Sequence, residues 1–191
     1  MDIVLASASP RRQELLQLMG LDFIVRTAPH DETMNPFANP LDEVARVSQL
    51  KARAVYPLCH EEDIVVAADT IVVCDGRIMG KPRSENDAFS MLRRLAGREH
   101  QVMTGLTVVQ GDVSETTTVT TTLRFRPLSD AEIRNYIATG EPMDKAGGYG
   151  IQGKASMFVV GLDGDYYNVM GLPVCTLTLM LRKHGVKLLG C

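Results

Sequence analysis

Hydrophobic and polar positions along the chain follow two spacings, one typical of strands and the other of helices. Apolar or alternating runs predict strands over residues 3–6, 23–25, 64–73 (as two runs), 102–109, 116–126, 157–160 and 166–170. Gly111-Asp112 joins two of these runs, which predicts an antiparallel hairpin, and Asp75-Gly76 predicts another tight turn.

Helices are predicted where apolar residues recur every three or four positions, over residues 10–19, 40–56, 84–95, 130–139 and 173–184. Ser9-Pro10 and Asn39-Pro40 each combine an N-cap with proline at the first helical position, and Ser129 with Glu132 forms a capping box. The first two helices are expected to bury Leu15, Leu16, Leu18, Met19, Leu41, Val44, Ala45, Val47 and Leu50. Because crossover helices alternate with hairpins, the fold class is predicted to be α/β with a mixed sheet.

Composition excludes several classes of partner. The 191 residues are 45% hydrophobic and 23% charged, which is ordinary for a globular protein with a buried core. A net charge of -3 and an aromatic content of 5% give no reason to expect nucleic acid. No apolar stretch reaches the roughly 18–20 residues of a membrane helix, and no signal peptide is recognisable. The four scattered cysteines suit reduced thiols, so we expect a cytoplasmic protein with no membrane partner.

Asp69 is the one residue of the run Ile64–Val73 that does not suit a buried strand. An ionised carboxylate away from water is costly unless it is paired, hydrogen-bonded or bound to a metal. The pattern therefore predicts a cation beside Asp69. A turn aspartate between two strands and a structural ion pair are the open alternatives.

The segment Ser7–Arg12 lies between a predicted strand and a predicted helix, and it contains two hydroxyls and two arginines. The N–H groups of a helix N-terminus together with guanidinium groups favour a phosphate-binding site, with a solvated surface as the alternative. Lys81 is a second candidate, because Gly80 lets the backbone approach a ligand. A solvated surface would equally explain three further features of the sequence: Asp31-Glu32, Lys51 and residues 144–153.

Several segments, in this order, carry a resemblance to a known family: Leu5–Arg12, Ala68-Asp69-Thr70, Gly80-Lys81-Pro82, Asp144–Gly153 and Asn168–Pro173. Together they closely resemble the Maf family of nucleoside triphosphate pyrophosphatases over nearly the whole chain. The resemblance implies a single Maf-like domain over residues 1–191 with a Maf/ITPase-like fold, in which a mixed twisted sheet flanked by helices forms two lobes around a deep cleft. It also implies hydrolysis of non-canonical or pyrimidine nucleoside triphosphates to the monophosphate and pyrophosphate, with a divalent metal cation, Mg²⁺ or Mn²⁺.

The same resemblance implies roles for individual residues. Asp69 is the implied catalytic acid–base, and Asp69 and Glu32 are the implied metal ligands. The implied phosphate ligands are Ser9, Arg11, Arg12, Lys51 and Lys81, and the implied specificity residues for dTTP and UTP are Arg11, Thr70 and Gln152. Two positions depart from the family pattern, since Ala8 stands where many relatives have glycine and Lys154 where small or apolar residues are common.

The predicted function is a dTTP/UTP pyrophosphatase that cleanses the nucleotide pool or takes part in cell division arrest. One alternative is the related subgroup that acts on methylated guanosine triphosphate. Another is a regulator of cell division that binds nucleotides without hydrolysing them. The expected partner is a nucleoside triphosphate substrate, and the sequence leaves the oligomeric state open, with a homodimer compatible with it.

Overall fold

The computed structural model describes residues 1–35 and 38–190. Seven strands occur within these residues: β1 (Ile3–Leu5), β2 (Phe23–Val25), β3 (Ile64–Cys74), β4 (Arg77–Met79), β5 (Glu99–Gln110), β6 (Val113–Phe125) and β7 (Val159–Asp163). The α-helices of the same residues are α1 (Pro10–Leu18), α2 (Pro40–Val55), α3 (Glu85–Leu95), α4 (Asp130–Ile137), α5 (Tyr166–Met170) and α6 (Val174–Lys183). Short 3₁₀ turns cover Tyr56–Leu58, Glu141–Asp144, Ala146–Gly148 and Lys154–Phe158.

The strands form one mixed sheet in the order β2-β1-β3-β5-β6-β7, with β4 paired to β3. Strand β1 runs parallel to both β2 and β3, whereas β4 is antiparallel to β3 and β7 is antiparallel to β6. A two-residue turn joins the neighbouring strands β5 and β6, so these must be antiparallel as well. The predicted α/β class with a mixed sheet is therefore confirmed.

The chain divides into two compact units. The first unit comprises residues 1–69, 104–119 and the chain from residue 171 on, and the second comprises residues 70–103 and 120–170. The number of units agrees with the two lobes that the resemblance implies, while a single functional domain over residues 1–191 stays a prediction. Among the described residues, no helix has the length and apolar character needed to cross a membrane.

In the first unit, α2 packs very closely against β5 at Gly105. A Cβ atom on this residue would lie 2.3 Å from the carbonyl oxygen of Val44, which is closer than real Cβ atoms approach. About one turn further along α2, the Ser48 and Thr107 hydroxyls are hydrogen-bonded at 2.8 Å. These contacts fix α2 against the sheet and thereby fix Lys51, which lies on the same buried face of the helix.

The second unit has an aromatic core around Phe125. Its ring lies edge-on to His100, Tyr149 and Phe158, with centroid distances of 4.8, 4.9 and 5.9 Å. Burial lowers the pKa of His100 to about 4, so the ring is neutral at pH 7. Its Nε2 atom and the Tyr149 hydroxyl are hydrogen-bonded at 2.7 Å. The glycine-rich stretch is thus anchored to the sheet through Tyr149.

The predicted strand over residues 166–170 is wrong, because these residues form α5. The carboxylate of Asp165 accepts hydrogen bonds from the backbone N–H groups of Tyr167 (2.8 Å) and Asn168 (3.2 Å), as an N-cap does. The buried Asn168 side chain also donates to the carbonyl of Val102 at 3.0 Å. These bonds outweigh the strand propensity of a Tyr- and Val-containing segment.

Three smaller expectations also change. The two apolar runs around Asp69 are one continuous strand, β3. Leu18 is 64% exposed, because α1 buries Arg12, Leu15 and Leu16 and so turns the opposite face to water. Leu41, in the first turn of α2, is 40% exposed. The predicted ends of the helices and strands otherwise agree to within a few residues, as is usual at frayed ends.

Candidate active site

Arg12 is a buried cation at the start of α1. Its Nε donates to the carbonyl of Gly171 at 2.8 Å, and its Nη1 donates to the Ser7 hydroxyl at 3.0 Å. Burial lowers the pKa of Arg12, and the charges of Asp69 and Glu32 oppose that shift. The guanidinium remains charged, because arginine is not deprotonated in proteins. The solvated-surface alternative for Arg12 therefore does not hold.

Ser9 and Arg11 flank this contact. Ser9 is the N-cap of α1, but its side chain makes no capping hydrogen bond, and its own N–H donates to the Ser7 hydroxyl at 3.2 Å. Arg11 is half-buried, and its charge lowers the pKa of Arg12 in addition to the larger effect of burial. Both predicted phosphate ligands thus lie at the α1 N-terminus, where an anion would be stabilised.

Lys51 is buried on α2 and contacts two carboxylates. Its Nζ atom donates to Oδ1 of Asp69 at 2.6 Å and lies 3.0 Å from Oε1 of Glu32. Helical spacing explains the position, because Val44, Val47 and Lys51 stand on one face of α2 at three- and four-residue intervals. The prediction of a cation beside Asp69 is confirmed, and that cation is Lys51.

Asp69 lies inside β3 with only 8% of its surface exposed, between Ala68, which is fully buried, and the half-buried Thr70. The turn-aspartate alternative is wrong, because the strand continues on both sides. The ion-pair alternative is realised through Lys51. A buried carboxylate in contact with a lysine is the kind of group that serves a substrate or a water at a functional site.

Glu32 receives a second contact from His30. The His30 Nε2 atom lies 2.8 Å from Oε1 of Glu32, and Nδ1 lies 2.7 Å from the carbonyl of Ala28. Both partners are acceptors, so each contact needs an N–H group of the ring. Burial raises the pKa of Glu32, but the hydrogen bonds and charges of Lys51 and His30 outweigh it, and the resulting pKa is lowered. Glu32 is therefore ionised at neutral pH.

The segment that contains Glu32 is held to α2 by an ion pair. Arg46 donates from Nη2 to the carboxylate of Glu43 (2.6 Å) and to the carbonyl of Thr33 (2.8 Å). The Glu43 carboxylate also accepts the N–H of Asn35 at 2.8 Å. Glu43 and Arg46 thus fix the chain immediately after Glu32.

The remaining predicted residues belong to the second unit. Thr70 follows Asp69 in β3 and is half-buried, while Lys81 and Gln152 are exposed. Lys81 follows Gly80, whose carbonyl accepts the N–H of Gly147 at 3.0 Å. Gly147 has a φ of 68°, and a Cβ there would lie 2.9 Å from the Val72 side chain, so only glycine fits.

Three contacts of the site went unrecognised in the sequence: Ser7 and the Gly171 carbonyl, which hold Arg12, and His30, which holds Glu32. The pair His30 and Glu32 gave a usable signal, since alternate residues of an extended segment point to the same side. Gly171 gave no such signal, because a backbone carbonyl can bind a distant side chain whatever its residue type.

The geometry defines an α/β protein with a buried carboxylate–lysine pair, a second carboxylate and a buried arginine in one unit. The family described as Maf-like protein matches residues 2–184 of the chain. A dTTP/UTP pyrophosphatase from Symbiobacterium thermophilum is 48% identical over 183 residues, which is 96% of this chain and 94% of that protein. A dTTP/UTP pyrophosphatase from Syntrophomonas wolfei is 46% identical over 187 residues, which is 97% of this chain and 98% of that protein. The chain therefore belongs to the Maf family, as its motifs predicted.

Among solved structures, a HAM1 protein from Coxiella burnetii aligns with a TM-score of 0.48 and 10% identity, over 96% of this chain and 99% of that chain. A similarity at this level carries no functional argument.

Proposed function

We propose that this chain hydrolyses dTTP and UTP to the monophosphate and pyrophosphate, with the chemistry at Asp69. The observation that carries the proposal is the buried Asp69 carboxylate, which Lys51 contacts at 2.6 Å beside the ionised Glu32. Membership of the Maf family and the activity of the relatives, which are 44–48% identical, support the choice of substrate. The pyrophosphatase class predicted from the sequence thus has support from the geometry of the site and from the relatives.

In this proposal Asp69 takes the proton of the attacking water. An ionised carboxylate can accept a proton, and Lys51 next to it balances the carboxylate charge before the transfer. Arg12 and Lys51 then stabilise the negative charge that develops on the leaving pyrophosphate. Arg12 is already oriented by Gly171 and Ser7, so little reorganisation is needed at the moment of reaction.

A divalent cation, Mg²⁺ or Mn²⁺, is part of the proposal. Within residues 1–35 and 38–190, no group of three or more His, Cys, Asp and Glu side chains could hold a metal ion. Mg²⁺ is usually bound by one or two carboxylates together with substrate phosphates, and Asp69 and Glu32 supply such a pair around one cation, Lys51. These two residues would hold the ion, which when bound lowers the pKa of a water and neutralises phosphate charge.

The other roles implied by the family are also proposals. Ser9, Arg11 and Lys81 bind phosphate oxygens, and Arg11, Thr70 and Gln152 distinguish the base and sugar. A cytoplasmic location, a homodimeric state and a role in nucleotide-pool cleansing or cell division remain predictions.

The test is a panel of nucleoside triphosphates assayed by pyrophosphate release from the purified protein with Mg²⁺ or Mn²⁺. We expect the highest kcat/KM for dTTP and UTP and poor turnover of purine triphosphates. A preference for methylated guanosine triphosphate would assign the chain to the alternative subgroup. Tight binding without pyrophosphate release would favour the regulator and would contradict the proposal.

A further inference from the structure

Tyr136 and Glu141 together fasten both ends of the turn that contains Gln152. The backbone N–H of Gly150 donates to the Tyr136 hydroxyl at 3.3 Å, and this hydroxyl donates to Oε1 of Glu141 at 2.9 Å. The other carboxylate oxygen, Oε2, accepts the backbone N–H of Lys154 at 3.0 Å. One connected set of hydrogen bonds thus spans the residues on either side of Gln152.

Two glycines let the turn backbone lie directly on neighbouring side chains, Glu141 and Lys145. The N–H of Gly153 donates to the carbonyl of Gly150 at 3.0 Å and closes the turn. A Cβ on Gly153 would lie 2.1 Å from Oε1 of Glu141, and a Cβ on Gly150 would lie 2.8 Å from the Lys145 side chain. The backbone around Gln152 is therefore packed on the Glu141 carboxylate.

Tyr136 is itself rigidly placed. It lies on α4 with 4% of its surface exposed, and its ring packs edge-on against Phe158 at a centroid distance of 5.2 Å. Burial has the largest effect on the pKa of the Tyr136 phenol and raises it, and the neighbouring Glu141 raises it further. The hydroxyl therefore remains protonated and donates. Gln152, in contrast, is exposed, and its direction depends on the backbone of its turn.

We propose that Tyr136 and Glu141 are positioning residues that set the base selectivity of the enzyme by holding the turn of Gln152. The proposal rests on the proposed function, because it assumes that Gln152 binds the pyrimidine base. Uracil and thymine present a carbonyl, an N–H and a second carbonyl, which a correctly directed side-chain amide can pair. A fixed turn lowers the entropy lost on binding, and it leaves a wrong base with unpaired polar groups.

The experiment compares the parent protein with Tyr136→Phe and Glu141→Gln, assayed with dTTP and GTP. Tyr136→Phe removes the hydroxyl that joins Gly150 to Glu141, and Glu141→Gln keeps the shape but replaces one of its two acceptor oxygens by an NH2 donor. We expect KM for dTTP to rise about fivefold to tenfold with kcat within about twofold, and the dTTP/GTP ratio of kcat/KM to fall about fivefold. Matched controls are Tyr166→Phe, at a residue that is 41% exposed, and Glu99→Gln, at a side chain that is 65% exposed.

A double variant separates positioning from general weakening of the fold. If Tyr136 acts through Gln152, Tyr136→Phe should not lower the dTTP/GTP ratio further in a protein that already has Gln152→Ala. An additional decrease equal to that in the parent background would overturn the proposal.

Amide hydrogen exchange distinguishes failure of this proposal from failure of the proposed function. A parent protein without preference for dTTP and UTP would contradict the proposed function, and exchange at Gly150 and Lys154 would then decide whether the pair holds the turn. Faster exchange at both amides in Tyr136→Phe and Glu141→Gln supports the pair as positioning residues. Unchanged exchange, or an unchanged dTTP/GTP ratio in a selective parent, overturns it.

Discussion

The charge of Asp69, inside a buried strand, is paired directly with Lys51. The two side chains are 12% and 10% exposed, so their attraction is screened much less by water than that of a surface pair. Removing one partner of such a pair leaves a buried charge without compensation, whereas removing both is often close to neutral. The site and the stability of the first unit therefore depend on the same contact.

Lys51→Met tests this dependence through stability. We expect the free energy of unfolding to fall by about 2–4 kcal/mol, because Asp69 and Glu32 lose the cation that they share. Adding Asp69→Asn should recover part of the loss, since the buried charge is then removed. Urea denaturation followed by circular dichroism measures both variants. A single variant as stable as the parent, or a double variant less stable than the single one, would contradict the account.

At the level of elements, the site depends on three residues of α2 that contact the segment before the helix. Glu43 and Arg46 bind the chain after Glu32, and Lys51 binds Glu32 itself one to two turns later. The helix is fixed in turn by its close approach to β5 at Gly105. A loop held in this way presents Glu32 without a further loss of entropy when substrate binds.

Arg46→Ala should reduce activity by loosening the segment that contains Glu32. The variant loses the bond to the Thr33 carbonyl and the pairing with Glu43, so Glu32 would sample more positions. We expect kcat/KM for dTTP to fall about tenfold, equivalent to roughly 1.4 kcal/mol. Arg53→Ala on the exposed face of the same helix is the matched control and should leave kcat/KM unchanged. Equal activity of both variants would mean that Glu32 needs no support from α2.

How far the elements and site could be predicted differs from residue to residue. The apolar run around Asp69 was informative because a carboxylate there conflicts with its surroundings, and the structure supplies the predicted cation. Lys51 could not be identified from pattern alone, because a lysine on a helix usually extends to water. The helix over residues 166–170 was missed because Asp165 caps it and Asn168 bonds to distant strands, contacts that strand propensity does not reflect.

For the whole molecule, a neutral histidine in the core links stability to pH. Burial lowers the pKa of His100 to about 4, below its usual value of 6.5. Between these two values the unfolded chain binds a proton that the folded protein does not. The contribution of His100 to the free energy of unfolding is therefore fully present above about pH 6.5. It decreases as the pH falls toward 4.

His100→Gln should reduce this pH dependence. Relative to pH 7, we expect the parent to lose about 2 kcal/mol at pH 5 from His100 alone, a loss absent from the variant. Glutamine keeps a side chain that can hydrogen-bond to the Tyr149 hydroxyl, although it is expected to lower stability at pH 7 as well. Urea denaturation at pH 5, 6 and 7 gives the slope for each protein. Identical slopes would mean that His100 titrates normally.

The most direct test of the central claim is the turnover of dTTP by Asp69→Asn, measured as pyrophosphate release. The amide keeps the shape of the carboxylate but cannot accept the proton of the attacking water, so we expect kcat to fall by at least about 100-fold. Circular dichroism should show an intact fold, and Asp112→Asn, at an exposed position in the same unit, should retain full activity. Turnover by Asp69→Asn within a few-fold of the parent would contradict the assignment of Asp69 as the catalytic base.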